Sequence, residues 1–267
     1  MEVRLLGTGA ADGIPGFFSD NRVSRYAREH GGKDVRTRSG ALIDGHIKID
    51  LPPDTFAQVV RDRLSPEDWS ALIFTHSHDD HFALEEIQYG MFPFVDREYL
   101  PYPIFGNETV IYRLQDRYPG WPIEFHKTKS FCPFEHLGYR ITPIHAHHLL
   151  EEDAQNLIFE KDKTFLYATD TGIWGEESWQ FLKSYRLDGM VIECAEGFAS
   201  TAYYGHLDVD ECIEVVERLR ESGVLKPGAK VVTTHHSHSG DGTHAELEAA
   251  LSPHGIEVGY DGMVFHV

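Results

Sequence analysis

Six consecutive residues, His76-Ser77-His78-Asp79-Asp80-His81, carry three imidazoles and two carboxylates. Neutral imidazole nitrogens and carboxylate oxygens suit zinc or a similar first-row divalent ion, and a mixed set spread over a sharp loop can serve two adjacent ions. The His-x-His pair can grip one ion while Asp80 and His81 turn toward another. The competing reading is a polar turn in a chain with 17 histidines. Metal chemistry explains the density better.

These residues need an element to present them, and Ala71-Leu72-Ile73-Phe74 immediately before them is short, apolar and strand-like. The histidines should therefore emerge at the rim of a sheet. Three later segments repeat the pattern of a polar residue just beyond an apolar strand. Alternation along a strand at 139–144 puts residues 144, 146 and 148 on one face and 145 and 147 on the other. His148 lies furthest toward the loop and is the preferred ligand, with His147 still in play. A strand at Thr164–Ala168 runs into Thr169-Asp170-Thr171-Gly172, where the aspartate suits a plain turn or a carboxylate shared between two cations. A strand at 230–234 runs into His235-His236-Ser237-His238.

The rest of the chain reads as Glu2–Gly7 followed by a Gly- and Pro-containing turn, a hairpin of 41–44 and 47–50 about Gly45, and a helix over 54–62. Strand 156–161, helix Glu176–Leu182 and strand 190–194 follow. The clearest helix starts at Asp208, with Glu211 three residues on, a Val209, Ile213, Val216 and Leu219 stripe, and Gly223 to stop it. Two strand-rich halves, each with helices, predict two sheets packed face to face with helices outside.

At 267 residues, 41% hydrophobic and 12% aromatic, the chain has enough apolar material for a packed interior and is no disordered segment. It reads as one domain over residues 1–267. No apolar stretch approaches the roughly 20 residues that span a bilayer, and the N-terminus reads as a strand, so no membrane association and a cytoplasmic location are expected. Cys132, Cys194 and Cys212 are too dispersed for a disulfide framework or a metal knuckle and read as buried small hydrophobes. A formal net charge of −19 disfavours long nucleic acid, whose binding depends on Lys and Arg contacts to phosphate. Within that acidic chain, about 17–40 is locally basic, with Arg22, Arg25, Arg28, Lys33, Arg36 and Arg38 against Asp20, Glu29 and Asp34. It reads either as a solvated loop or as a flap recruiting a small anionic substrate.

Taken together, Gly7-Thr8-Gly9, the run from His76 to His81, His148, Thr169-Asp170-Thr171-Gly172 and Thr234-His235-His236-Ser237-His238 resemble the metallo-β-lactamase superfamily of metal-dependent hydrolases. The phosphodiesterase branch that includes tRNase Z and the phosphoribosyl cyclic phosphate phosphodiesterases is most similar. The segment Leu6-Gly7-Thr8-Gly9-Ala10-Ala11-Asp12-Gly13-Ile14-Pro15, Gly205-His206 before the Asp208 helix, and Glu257-Val258-Gly259-Tyr260-Asp261-Gly262-Met263 carry that likeness. The branch tends to have a cysteine-rich structural zinc loop after the first Gly-x-Pro turn. This chain has Gly16-Phe17-Phe18-Ser19 and the basic segment instead.

The resemblance implies an α+β fold, a four-layer αββα sandwich of two mixed sheets with helices outside. It also implies two divalent metal ions, zinc first with manganese or iron as alternatives. One ion would take His76, His78 and His148, the other Asp80, His81 and His235, with Asp170 shared. A hydroxide bridging the ions would be the nucleophile, held in line by Asp80. His206 would protonate or hydrogen-bond the leaving oxygen; because it precedes a helix N-terminus, a carboxylate such as Glu193 or Glu196 must keep it charged. His238 would line the pocket, and Arg38 or Arg36 would bind a second phosphate or a carboxylate.

The expected activity is hydrolysis of a small phosphodiester or cyclic phosphate. A carboxyl-ester, lactone or thioester hydrolase would use the same site, because fold and metal do not fix the bond cleaved. A non-catalytic sensor or cofactor-pathway accessory is the reading from another class. The expected partner is a small anionic substrate, and a homodimer is a further expectation.

Overall fold

A computed structural model of the protein describes residues 1–199 and 203–267. Its strands are β1 (Glu2–Gly7), β2 (Gly40–Ile43), β3 (Ile47–Ile49), β4 (Ala71–Ile73), β5 (Ile104–Gly106), β6 (Phe125–Lys127), β7 (Phe134–His136), β8 (Tyr139–His145), β9 (Gln155–Glu160), β10 (Thr164–Ala168), β11 (Leu187–Glu193), β12 (Leu225–Thr234), β13 (Glu257–Val258) and β14 (Val264–His266). The helices are α1 (Arg22–His30), α2 (Thr55–Asp62), α3 (Glu108–Arg117), α4 (Glu176–Leu182), α5 (Val209–Glu221) and α6 (His244–Leu251).

The strands form two seven-stranded sheets, in the orders β14-β1-β2-β3-β4-β5-β6 and β13-β12-β11-β10-β9-β8-β7. Each is mixed in the same way. The pairs β1/β14, β1/β2 and β2/β3 are antiparallel and β3 through β6 parallel; β7 through β10 pair antiparallel and β10 through β13 parallel. Parallel strands need crossover connections, which α2, α3, α4, α5 and α6 supply on the outer faces.

Side-chain alternation explains why there are four layers. Ile73 points between the sheets with Ile49, Phe159, Phe165 and Val191, while its neighbours Leu72 and Phe74 point outward and pack with Val110 and Leu114 of α3. On the second sheet Val191 faces inward, and Met190 and Ile192 face α5 with Val216 and Leu219. Both faces of the central strands are therefore apolar, and each sheet must be covered twice. The α+β αββα expectation holds.

Helix α5 begins as its sequence demands: the Asp208 carboxylate accepts from the Glu211 N–H, Glu211 returns the bond, and Gly223 follows in the left-handed region at φ 69°. Such a cap contributes about 1 kcal/mol. The basic segment instead contains α1, which the sequence reading did not predict; Asn21 caps it and Val23 and Ala27 pack on Ile14. Cys194 and Cys212 are buried, but Cys132 is exposed, because it sits in the bridge turn before β7 rather than in a strand interior. No helix among the described residues is long and apolar enough to cross a membrane.

Candidate metal centre

All the polar segments singled out in the sequence leave the sandwich at one edge, where the parallel strands end. This is where open sheets of this kind place ligands. Among the non-glycine residues that adopt the left-handed conformation just beyond strand ends, three belong to this edge: Asp50 after β3 (φ 55°), Asp170 after β10 (φ 46°) and His235 after β12 (φ 56°). That conformation is uncommon for residues with a Cβ and persists where the surroundings fix it. Here it turns the chain sharply at the sheet edge.

The seven expected ligands come together. His76, His78, His148 and Asp170 form one group, and Asp80, His81, Asp170 and His235 a second; within each, one ligand atom per residue lies within 4.8 Å of all the others. Asp170 belongs to both. Its Oδ1 lies 3.0 Å from His235 Nε2, 3.6 Å from His148 Nε2 and 3.9 Å from His76 Nε2, and its Oδ2 lies 3.0 Å from His81 Nε2. His148 Nε2 is 3.1 Å from His78 Nδ1, so His78 presents its other ring nitrogen. Between the two candidates after β8, His148 enters the cluster while His147 turns its Nδ1 to the Ile173 carbonyl.

The donor set fits a metal. Nε2 of His76 and Nε2 of His81 are buried without a hydrogen-bond partner. The opposite nitrogens are all held from behind. His81 Nδ1 donates to Asp50 Oδ2 at 2.7 Å, His76 Nδ1 to Thr75 Oγ1 at 3.0 Å, His148 Nδ1 to the Gly205 carbonyl at 2.9 Å, and His235 Nδ1 to Ser39 Oγ at 3.0 Å. Thr75 and Ser39 spend their own hydroxyl protons on Asp50 and the Gly9 carbonyl, so each must accept from its histidine. This backing fixes the tautomer that leaves Nε2 free as a metal donor. Burial opposes charge on His81, but Asp170, Asp80 and Asp50 around it outweigh burial and hold its pKa well above the usual histidine range. Three carboxylates on one imidazole are more negative charge than one proton compensates, and a divalent cation relieves it better.

Asp50 was not recognised in the sequence as part of this site. Its Oδ1 accepts from the Thr75 N–H at 2.8 Å and its Oδ2 from His81, so it backs both ligand groups, one directly and one through Thr75. The available signal was a carboxylate directly after an apolar strand. Beneath it, the ammonium of Lys48 is fully buried, donates to the carbonyls of Ile49 and Asp50, and is lowered to about 7 by burial. Glu152 is a further support, accepting from Ser77 Oγ and from Asn107 Nδ2 at 2.6 Å each and so tying the histidine loop to the second sheet.

His206 stands beside the cluster, its ring 4.8 Å from that of His148. Of the two carboxylates considered for it, Glu193 is the partner, at 2.6 Å from Nδ1. Burial disfavours the imidazolium, but Glu193 overrides it and the pKa is raised to about 9. A cavity of about 270 Å³ is lined by His206, His148, His235, Asp80 and Asp170, and further out by Asp12, Glu196 and Tyr203.

The remaining expectations land differently. The Arg38 guanidinium donates to the Ala11 carbonyl at 2.7 Å and pairs with Asp54 at 3.2 Å. Arg36 is buried and donates to Thr8 Oγ1, the Gly259 carbonyl and His244 Nδ1, so it cannot receive a substrate. His238 pairs through Nε2 with Asp12 and through Nδ1 with Asn21, behind the cavity wall that Ser237 and Ser239 line. The basic segment is not a free flap: Arg22 holds Asp241 and Glu246, and Arg28 holds the carbonyls of Gly16 and Ser19.

Several solved structures share this architecture. A diphosphatase from the PhnP family aligns with a TM-score of 0.79 at 24% identity over 100% of this chain and 97% of its own. Zn(2+)-bound PqqB from Methylobacterium extorquens aligns at 0.78 and 15% identity over 100% of both chains, and the short form of human tRNase Z at 0.65 and 15% over 100% and 99%. Identities this low show a shared fold. No curated protein matches the sequence. The model of the beta-lactamase superfamily domain matches residues 46–236, a span that holds all seven clustered ligands and His206, and the chain therefore belongs to that superfamily as a metallo-β-lactamase-fold hydrolase.

Proposed function

We propose that the protein is a binuclear metal-dependent phosphodiesterase acting on a small phosphodiester or cyclic phosphate. The observation that carries this reading is His206, held by Glu193 on the wall of the same cavity that the ligand cluster opens into. With Nδ1 taken by Glu193, Nε2 is the nitrogen left to serve an oxygen leaving from a substrate seated on the cluster. An alkoxide, the poorer leaving group of a phosphodiester, gains most from such a donor.

Divalent ions in the two ligand groups would supply Lewis acidity and a water whose pKa falls from about 15.7 toward about 7. His76, His78 and His148 with Asp170 would hold one ion, and Asp80, His81 and His235 with the same Asp170 the other. Zinc is the first expectation and manganese or iron the next, since imidazole and carboxylate accept all three. Asp80 is mostly buried and lines the cavity, and it would hold an attacking water in line. The Glu193 carboxylate also accepts from the backbone N–H of Thr171 at 2.8 Å, so one side chain ties His206 to the turn that carries Asp170. Positive charge held by these ligand groups would offset the negative charge that develops on the phosphate in the transition state.

The same machinery would attack a carboxyl ester, lactone or thioester. Assay of metal-loaded protein on bis(p-nitrophenyl) phosphate beside a lactone panel separates the readings: diester turnover is expected, and turnover of lactones alone would overturn the proposal.

A further inference from the structure

The outer half of the cavity has a consistent chemistry. Among its described lining residues there is no lysine or arginine, and its outward carboxylates are Asp12 and Glu196. The nearby arginines are spent on the rim itself. Arg38 holds Ala11 and Asp54, Arg28 holds Gly16 and Ser19, and Arg113 donates to the Ser77 carbonyl. None is left to receive a second anionic group.

The two carboxylates differ. Asp12 is matched by His238. Glu196 is partly buried, and among the described residues its carboxylate has neither a hydrogen bond nor an ion pair. A carboxylate partly withdrawn from water without a partner is costly, and the cost falls when a cation arrives with the ligand. Tyr203 shares that outer region, and the face of a tyrosine ring can receive an ammonium.

Resting on the phosphodiester reading, we propose that the substrate group esterified to the scissile phosphate carries an ammonium received by Glu196, and that diesters bearing a second phosphate or a carboxylate are rejected. The single negative charge of the diester would be taken by the ions of the ligand cluster. A second one would face Glu196, while the only cationic side chain on that wall among the described residues, His206, is already matched by Glu193.

Three product-like monoesters of similar size test this by calorimetry on the full-length zinc-loaded protein: 2-aminoethyl phosphate, ethyl phosphate and phosphoglycolate. The expected order has 2-aminoethyl phosphate about fivefold tighter than ethyl phosphate and phosphoglycolate about fivefold weaker, as a modestly screened ion pair gives. Glu196→Gln should compress the ratio between the first and the last toward one. Phosphoglycolate binding as tightly as 2-aminoethyl phosphate, three equal affinities, or an order unchanged in the variant would each overturn the inference. The wild-type order decides even if the variant does not fold. Failure of the phosphodiester reading shows separately, as absent hydrolysis of every diester; absence of binding by all three monoesters removes the phosphate site and this inference with it.

Discussion

Replacing Asp50 with asparagine changes one atom of a buried residue and should disable one half of the metal centre. Oδ1 of Asp50 is committed to the backbone N–H of Thr75, a donor that cannot change its role, so the asparagine oxygen must stay there. The new amide nitrogen then faces His81 Nδ1 across the present 2.7 Å contact. Two donors cannot share that contact, so His81 moves its proton to Nε2, the nitrogen aimed at Asp80 and Asp170. A protonated Nε2 cannot bind metal. His76 keeps its tautomer, because Thr75 Oγ1 can still donate to the oxygen side and accept from His76. Loss of such outer support typically costs 10–100-fold in metal affinity, or about 1.4–2.8 kcal/mol. Competition titration with a chelator should show one ion equivalent weakened by that factor and the other within about threefold of wild type, with unchanged far-UV circular dichroism. Two equivalents with wild-type affinities would refute the tautomer argument. Asp50→Ala serves as the contrast: it strands the buried N–H groups of Thr75 and His81 at about 1–3 kcal/mol each and should lower the melting temperature as well.

Because Asp170 lies in both ligand groups, Asp170→Ala should reduce bound metal below one equivalent by elemental analysis and abolish activity with it; retention of two ions would show that the carboxylate is not shared. His206→Ala should keep the metal content and lose turnover, most for diesters with poor leaving groups, and kinetics unchanged across a leaving-group series would remove His206 from the reaction. His244 gives a pH test of stability. Burial, with help from Arg36 and Lys33, lowers its pKa to about 4, below its ordinary value near 6.5, so the neutral ring belongs to the folded state. Its contribution is complete above about pH 6.5 and is lost as pH falls toward 4. Urea midpoints of chelator-treated protein should therefore drop more steeply over that interval for wild type than for His244→Gln, and parallel profiles would count against it.

What the sequence revealed of this centre follows from how local each signal is. The run from His76 to His81 packs four clustered ligands into one loop, and the alternation along β8 already separates buried His148 from His147. The Asp208 and Glu211 box is equally local, three residues apart. Arg36 failed as a surface anion binder because its partners, Gly259 and His244, lie more than 200 residues away and exist only after folding. Lys48 is similar: a charged residue in a hairpin strand gave no hint that its ammonium would be enclosed beneath the site. Helix α1 escaped notice because it buries only Val23, Ser24 and Ala27, too narrow a stripe to stand out among its arginines.

One sheet supplies His76, His78, Asp80 and His81, and the other supplies His148, Asp170 and His235. Each ligand group thus straddles the sandwich, and the gap between its jaws is set by what fills it: Ile49, Ile73, Phe159, Phe165 and their neighbours. Protein interiors barely compress, so this apolar filling works as a calliper for the reaction centre. Trimming or enlarging a side chain deep in that layer, well away from any imidazole, should retune the spacing of the ions, and sequence drift in greasy positions becomes a route by which the chemistry itself can be adjusted.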